Sequence, residues 1–395
     1  MTTRAPAPLP GRADVVIVGG GVMGASTAFH LAEAGVEVLL LERGELSGGS
    51  TSRAAGGVRA NFSDELNIRL GQRSLELFAD FPVRPGQEID LHRSGYLFVL
   101  TRPQDVELFT ASVALQNSLG VESRMVDVEE ACRLSPLLDP EGVLAAAWSP
   151  EDGHCTPESV VLGYATGARR LGATVRTGIE VTGITSSGGE ITSVETPDGS
   201  VRTECVIDCA GAWSPQIASY VGVDLPVTPY KRELLITEPM PQPVEMAFTI
   251  DYSTTLYWHR EGPGILTGFS QQDALPGFDI SRDEDFPERL AELAAVRAPG
   301  LLDLGVRSGW AGLYETTPDH NALLGESSVV SRFLYATGFS GHGFLQGPAV
   351  GEILRDMYLG VTPFIDVSPL DVERFARGDL RPERNIVWRA GALIP

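Results

Sequence analysis

Short unbroken runs of apolar residues, closed by glycine or a polar residue, recur along this chain. A run without alternation reads as a strand buried on both faces, as in a parallel sheet covered by helices. Val15-Val16-Ile17-Val18 is the first and Val38-Leu39-Leu40-Leu41 the second. Phe333-Leu334-Tyr335-Ala336 comes much later, as does Val206-Ile207-Asp208-Cys209, a run interrupted only by Asp208. Helical periodicity appears over residues 64–81, with Leu66, Leu70, Leu75 and Phe78 on one side. Further helices are expected over residues 105–119, 157–171 and 284–296, and from the glycines near 341 to about residue 359. Residues 226–307 turn β-rich, with strands at 233–237, 255–259 and 265–269 of a separate antiparallel sheet. Asp198-Gly199 marks a hairpin turn.

At 395 residues the chain suits two domains better than one core. The strand at 206–209 resembles those near the start, so the first domain is expected to be discontinuous, over residues 13–85, 151–225 and 310–365. The second takes residues 86–150 and 226–309. Residues 1–12, rich in Ala and Pro, read as a flexible tail, and 366–395 as a C-terminal extension.

The first apolar run passes directly into Gly19-Gly20-Gly21-Val22-Met23-Gly24. In Gly-x-Gly-x-x-Gly the first glycine permits the turn, the second lets backbone approach a pyrophosphate, and the third lets the helix pack on its strand. The helix N-terminus then faces the phosphates. The second strand ends in Glu42, about 20 residues on, where an acid holds a ribose hydroxyl. Next comes Gly48-Gly49-Ser50-Thr51-Ser52-Arg53-Ala54-Ala55-Gly56-Gly57-Val58-Arg59, whose small residues suit backbone pressed against a flat or extended ligand.

The net charge of −22 argues against nucleic acid and anionic membranes as partners. No apolar stretch reaches the ~20 residues a membrane helix needs, and no charged-then-apolar leader opens the chain. The four cysteines, Cys132, Cys155, Cys205 and Cys209, lack metal-site spacing, and Cys205 and Cys209 read as small core hydrophobes. A reducing cytoplasm fits this usage.

Five segments in order carry a family resemblance: the glycine motif, the small-residue run to Arg59, Cys209-Ala210-Gly211-Ala212-Trp213, Gly312-Leu313-Tyr314-Glu315-Thr316-Thr317-Pro318-Asp319, and Gly338-Phe339-Ser340-Gly341-His342-Gly343-Phe344. From Asp14 to about Gly360 the chain resembles the D-amino acid oxidase-like superfamily of FAD enzymes. Within it, it is most similar to the branch of sarcosine oxidases, dimethylglycine dehydrogenases and the β subunits of dye-linked proline dehydrogenases. The resemblance implies an α/β plus α+β fold: a discontinuous Rossmann-like FAD-binding domain with a second, mainly antiparallel β-sheet substrate domain. It implies FAD rather than NAD. Glycine-rich sites near residues 20, 57, 211 and 341 suit a long cofactor, and the single Gly-x-Gly-x-x-Gly leaves no second nucleotide fold for NADH. Motifs and resemblance together give the cofactor contacts as Gly19, Gly21, Val22, Met23, Gly24, Glu42, Arg43, Ser50, Thr51, Ser52, Gly56, Gly57, Val181, Ala210, Gly211, Trp213, Gly312, Tyr314, Gly338, Gly341, His342, Gly343 and Phe344. The last three open a helix, whose free N–H groups and dipole would stabilise charge on reduced flavin.

Departures from the family pattern shape the expected chemistry. Where monomeric sarcosine oxidases attach flavin through cysteine, this chain has Gly312, so the FAD is expected to be noncovalent. Pro157 stands near the histidine that carries FMN in the multi-subunit oxidases, so covalent FMN is not expected; His154 is out of step and reads as structural or pocket-lining. Leu266 and Leu345 stand where lysines are found, which implies slow reaction with oxygen unless Lys231 or Arg260 reaches the flavin. Tyr314 replaces a carboxylate-binding arginine of glycine oxidases, and Tyr257 matches a carboxylate-contacting tyrosine. Arg59 and Arg232 are the other anion partners, although Arg59 serves equally well beside the cofactor or in a core ion pair.

The implied reaction removes hydride from the carbon next to nitrogen of a secondary or N-methylated amino acid such as sarcosine, dimethylglycine or proline. His342 and His259 are candidates to take the ammonium proton, and Tyr257 and Arg59 to hold substrate. No metal cluster is visible in the spacing. Oxygen, a quinone or a partner flavoprotein would accept the electrons. Three alternatives stand beside this reading: a flavin subunit of a multi-subunit amine dehydrogenase, an oxidase of a larger biosynthetic amine or a 2-hydroxy acid, and a flavin-binding paralogue without turnover.

Overall fold

The computed structural model describes residues 8–385. The unbroken apolar runs assemble into a six-stranded sheet in the order Leu323–Glu326, Phe333–Thr337, Val206–Asp208, Val15–Val18, Val38–Glu42 and Thr174–Thr177. All neighbours are parallel except Leu323–Glu326 against Phe333–Thr337. Both faces are covered, which is why these strands lack alternation. Val15, Ile17, Val38 and Leu40 pack on one face with residues of the helices Val22–Glu33, Pro157–Arg170 and Gly343–Leu359. Val16, Val18, Leu39 and Leu41 pack on the other with Ile184, Val194 and Val201 of a three-stranded antiparallel sheet. Cys205 and Cys209 are buried free thiols within the first of these cores.

The second sheet has eight strands, in the order Val306–Thr316, Thr228–Thr237, Gly264–Phe269, Tyr257–Glu261, Phe248–Asp251, Tyr96–Leu100, Ala145–Ser149 and Arg124–Val126. It is antiparallel except where Phe248–Asp251 runs parallel to Tyr96–Leu100. That pair joins the two excursions of the chain away from the first sheet. Leu97 and Val99 of Tyr96–Leu100 face a core capped by Phe286 and Leu290 of the helix Phe286–Arg297. Tyr96 and Phe98 face the opposite way, toward Phe248, Ile250 and Tyr257.

Several expected boundaries move. Val306–Thr316 belongs to the second sheet along its whole length, across the limit placed at 309/310. The strand expected to continue through Cys209 stops at Asp208, and Gly211–Trp213 is a short 3₁₀ turn. Asp208 accepts hydrogen bonds from the Ala210 N–H and the Ser214 hydroxyl, and this local pairing ends the strand. Of the expected N-terminal tail, residues 1–7 lie outside the described residues. Residues 8–12 are tied down: the Arg202 N–H donates to the Gly11 carbonyl at 3.2 Å, and Leu9 packs against the second core. Residues 386–395 of the C-terminal extension also lie outside the described residues. Among the described residues no helix is long and apolar enough to cross a membrane.

The loop from Thr316 to Leu323 connects the two sheets, and a buried ion pair fixes it. Arg374 donates from Nε to Asp319 Oδ2 at 2.8 Å and from Nη2 to Oδ1 at 2.9 Å, and both side chains are fully buried. Arg374 also donates to the carbonyls of Leu370 and Asn321. Burial alone would raise the Asp319 pKa; Arg374, with the N–H groups of Arg381 and Asn321, outweighs this and lowers it.

Arg374→Met should cost about 3–5 kcal/mol, because it strands the buried Asp319 carboxylate. An acid with a depressed pKa contributes stability that is lost as pH falls through that value. The orphaned carboxylate of the variant gains by taking up a proton instead. The gap in denaturation midpoint between the two proteins should therefore narrow as pH is lowered, and a gap that widens would contradict this role for Asp319.

Candidate active site

A cavity of about 450 Å³ lies at the C-terminal ends of the first sheet's parallel strands and against the inner face of the second sheet. At one end is the glycine turn. Gly19 has φ +108°, and a Cβ there would lie 2.4 Å from the Cys209 carbonyl oxygen. A Cβ on Gly24 would lie 1.9 Å from the Gly19 carbonyl oxygen. These contacts press helix, strand and the Cys209 segment together. Gly21 differs, because a Cβ there would touch nothing but the Thr51 hydroxyl at 3.2 Å. Its open side faces the cavity and forms the cradle a pyrophosphate needs. The helix Val22–Glu33 has no acidic residue in its first turn, and although the Val22 N–H donates to the Thr51 hydroxyl at 3.2 Å, no negative charge closes its positive end, which faces the cavity. Glu42 lines the same end and accepts N–H groups from Gly20 and Gly44, each at 2.7 Å. Each carboxylate oxygen keeps a further lone pair for a ribose hydroxyl. Arg43 lies over the Trp213 ring at 3.9 Å, and both line the wall. An adenine dinucleotide fits this set of groups.

In the middle of the cavity the helix Gly343–Leu359 begins at the wall. Its N-cap is His342, with no side-chain cap and no acid in the first turn. Three N–H groups at such an end lack intrahelical partners and carry the positive end of the dipole. Gly312 faces the Arg53 side chain, whose Nη1 donates to the Ala311 carbonyl at 2.9 Å. Cys209 is the one thiol on the wall among the described residues; it sits beside Gly19, and burial raises its pKa.

The far end is aromatic and cationic. Tyr96, Phe98, Phe248, Tyr257 and Tyr314 line it, with Arg59 and Arg232. Arg59 is 6% exposed and has no carboxylate within ion-pair distance among the described residues. Its Nη1 donates to Asn61 Oδ1 at 2.9 Å and its Nη2 to the Asn385 carbonyl at 3.1 Å, and its guanidinium carbon lies 4.0 Å from the Phe62 ring centre. Burial lowers its pKa, while Tyr96, Glu383 and Asp152 oppose the shift. Arg232 lies 5.3 Å from the Tyr314 ring centre, and burial lowers its pKa to about 10. Both remain charged at neutral pH. The His342 pKa falls well below its ordinary value, first through burial and then through Arg59. His342 is therefore neutral, edge-on to Phe62 with ring centres 5.0 Å apart.

Of the residues expected at the site, Arg59, Tyr257 and His342 line the cavity, with Gly19, Gly21, Val22, Met23, Glu42, Arg43, Ser50, Thr51, Gly56, Gly57, Val181, Ala210, Gly211, Trp213, Gly312, Tyr314, Gly341, Gly343 and Phe344. Four do not. Gly24 lies behind the turn against Gly19, Ser52 sits in the short turn Thr51–Arg53 off the wall, and Gly338 packs on Thr317. His259 is fully buried within the second sheet, with both ring nitrogens against the carbonyls of Arg260 and Ala55. Leu266, expected over the flavin, also lies off the wall, paired with His259 across the sheet. Lys231 is held by Asp283 and Arg260 by Glu245, away from the cavity. Tyr96, Phe98 and Phe248 were not anticipated. Their strands are buried on both faces, so no alternation sets them apart.

The family profile of FAD-dependent oxidoreductases (DAO) matches residues 14–357. The mitochondrial dimethylglycine dehydrogenase of Rattus norvegicus is 30% identical over 388 residues, covering 93% of this chain and 45% of that protein. The mitochondrial sarcosine dehydrogenase of Mus musculus is 28% identical, covering 93% and 42%. This chain thus spans less than half the length of those relatives. The crystal structure of L-proline dehydrogenase from P. horikoshii superposes with a TM-score of 0.90 at 32% identity, covering 94% of this chain and all of that one. A glycine cradle, an uncapped helix end and a matching profile over most of its length make this chain a member of the FAD-dependent oxidoreductase family.

Proposed function

We propose that this enzyme oxidises the carbon–nitrogen bond of a secondary or N-methylated amino acid, of the sarcosine, dimethylglycine or proline kind, with noncovalently bound FAD. The observation that carries the reading is Arg59, a buried cation without a carboxylate partner among the described residues, set in an aromatic wall. A substrate carboxylate would complete Arg59, and the faces of Tyr96, Phe248 and Tyr257 would receive the alkyl groups on nitrogen. The relatives named for dimethylglycine, sarcosine and proline support this substrate class.

Bound FAD supplies a two-electron acceptor for the C–H bond next to nitrogen. The chain contributes position and charge. Gly21, Glu42 and the end of the helix Val22–Glu33 hold the nucleotide part. The N–H groups at the start of Gly343–Leu359 offer fixed positive potential to negative charge developing in the middle of the cavity. Arg59 orients the substrate, and the aromatic wall excludes water, so the amine reacts as the neutral base. His342, held neutral with a depressed pKa, is a weak acceptor for the ammonium proton and adds no positive charge beside the amine, which would react as the free base. His259 lies off the cavity and is not proposed for that role. The thiol of Cys209 is kept protonated beside the glycine turn, and Gly312 offers no nucleophile, which supports a noncovalent cofactor.

Oxygen should be a poor acceptor. Among the described residues no lysine lines the cavity, and Leu345 occupies the wall beside the helix end. The charge on Arg59 would be neutralised by the substrate carboxylate. A quinone, dye or partner flavoprotein is the acceptor class this favours.

Anaerobic addition of sarcosine, dimethylglycine or proline should bleach the bound flavin, and primary D-amino acids should leave it oxidised; the reverse pattern refutes the substrate class. In stopped flow, the reduced enzyme should be reoxidised far more slowly by air than by a quinone or phenazine dye. Arg59→Met removes a charge-assisted contact worth about 1.5–3 kcal/mol, so kcat/KM should fall roughly 10- to 150-fold, mainly through KM. An N-methylamine without a carboxylate should lose little in the same variant. Since His342 is neutral, the rise of kcat/KM with pH should follow the ammonium pKa of each substrate. A limb fixed near 6.5 for every substrate would instead place a protonated histidine in the free enzyme.

A further inference from the structure

Three of the six histidines gather at one place outside the flavin cavity. His92 and His154 exchange backbone hydrogen bonds at 2.8 and 3.0 Å, and their rings stack with centres 5.1 Å apart. The His154 ring lies 4.3 Å from that of His259. His259 and Glu261 stand two apart on the strand Tyr257–Glu261, hence on one face of it. One donor atom each from His154, His259 and Glu261 falls within 4.8 Å of the others.

Two observations point to a ligand. His154 is 7% exposed, and its ring makes no hydrogen bond to the protein among the described residues, so a ring nitrogen keeps a lone pair available to a ligand. His259 differs. Its Nδ1 is 2.8 Å from the Arg260 carbonyl and its Nε2 3.0 Å from the Ala55 carbonyl. A neutral imidazole has one N–H, so one of these contacts sets lone pair against lone pair. A cation on that nitrogen removes the conflict and leaves the other N–H on a carbonyl, the usual orientation of a metal-bound histidine.

We propose that His154, His259 and Glu261 bind one divalent ion of the zinc class. Two imidazoles and a carboxylate suit zinc, with the Ala55 carbonyl or water in the fourth position. Tetrahedral zinc at about 2.0–2.1 Å from nitrogen sets its donors about 3.3 Å apart. Glu261 is only half-buried and free to close the remaining distance by rotation. The role would be structural. His154 belongs to the two-stranded ribbon of Gly57–Val58 with Gly153–His154, and His259 and Glu261 to the eight-stranded sheet. The ion would fasten one to the other directly behind Ala55, Gly56 and Gly57, which line the flavin cavity.

The test uses tag-free, FAD-loaded protein, dialysed against EDTA and titrated with Zn²⁺ and separately with Co²⁺. The expected result is one equivalent bound per chain, a Co²⁺ absorption beyond the flavin band with the intensity of a tetrahedral site, and a Zn²⁺-dependent rise in Tm. His154→Phe, which keeps the ring stack, should abolish the site, and Glu261→Gln should weaken it by about tenfold or more. Unchanged FAD content and flavin spectrum would report that each variant is folded. Absence of saturable binding, or binding undiminished in Glu261→Gln and in whichever position-154 variant folds, Phe or Gln, overturns the proposal.

Discussion

The chain crosses itself at a point where no side chain fits, and the cavity is built outward from that crossing. A Cβ on Gly24 would sit 1.9 Å from the Gly19 carbonyl, and one on Gly19 would sit 2.4 Å from the Cys209 carbonyl. Backbone contact this close is available only to glycine. It sets the helix Val22–Glu33 flat on its strand and brings the end of Val206–Asp208 beside the turn. The helix therefore starts at the strand ends, where the Val22 N–H is taken by the Thr51 hydroxyl and no acidic side chain neutralises the end. An anion-binding site here follows from steric exclusion, without a dedicated basic side chain.

The remainder of the cavity needs a second sheet held at a fixed place over the first. The two sheets share no strand, so loops and buried polar contacts must hold them. Asp319 and Arg374 fix the loop that leaves Val306–Thr316 for Leu323–Glu326. Within the second sheet, the parallel pairing of Tyr96–Leu100 with Phe248–Asp251 unites two excursions more than a hundred residues apart. Tyr96 and Phe98 from one and Phe248 and Tyr257 from the other thereby meet on one face. The aromatic end of the cavity exists only after both excursions have folded together.

This division explains what could be read from the chain. The first sheet was legible because its signals are local: apolar runs, glycine spacing, and Glu42 at a strand end. The nucleotide end of the cavity was legible for the same reason. Gly24 takes the helix-packing role its place in the motif assigns, whereas at Gly338 a glycine motif does not distinguish backbone packed on a ligand from backbone packed on itself. Gly24 meets Gly19, and Gly338 meets Thr317. The substrate end was mostly hidden, since strands buried on both faces erase the two-residue period that assigns a side chain to a wall. His259 shows the cost, as a polar residue in a β-rich run that lies behind the wall rather than on it. The cluster it forms with His154 and Glu261 spans over a hundred residues and has no local signature.

The electrostatics of the cavity contrast with those of the whole molecule. The chain carries a net charge of −22, yet the far end of its cavity presents Arg59 and Arg232 and a histidine held neutral. At physiological ionic strength exposed charges are screened beyond about 8 Å, so the acidic exterior acts only on approach. A dianionic ligand would be repelled there, whereas a zwitterionic amino acid, with no net charge, would not. Inside, the low dielectric strengthens the pull of Arg59 on a carboxylate and works against an ammonium group beside two guanidinium ions. On the proposed substrate, the field that would anchor its acid end would also favour loss of the proton from its nitrogen. Deprotonation is the step that makes the neighbouring C–H bond a hydride donor, so the buried arginines would assist the chemistry without touching the reacting atoms.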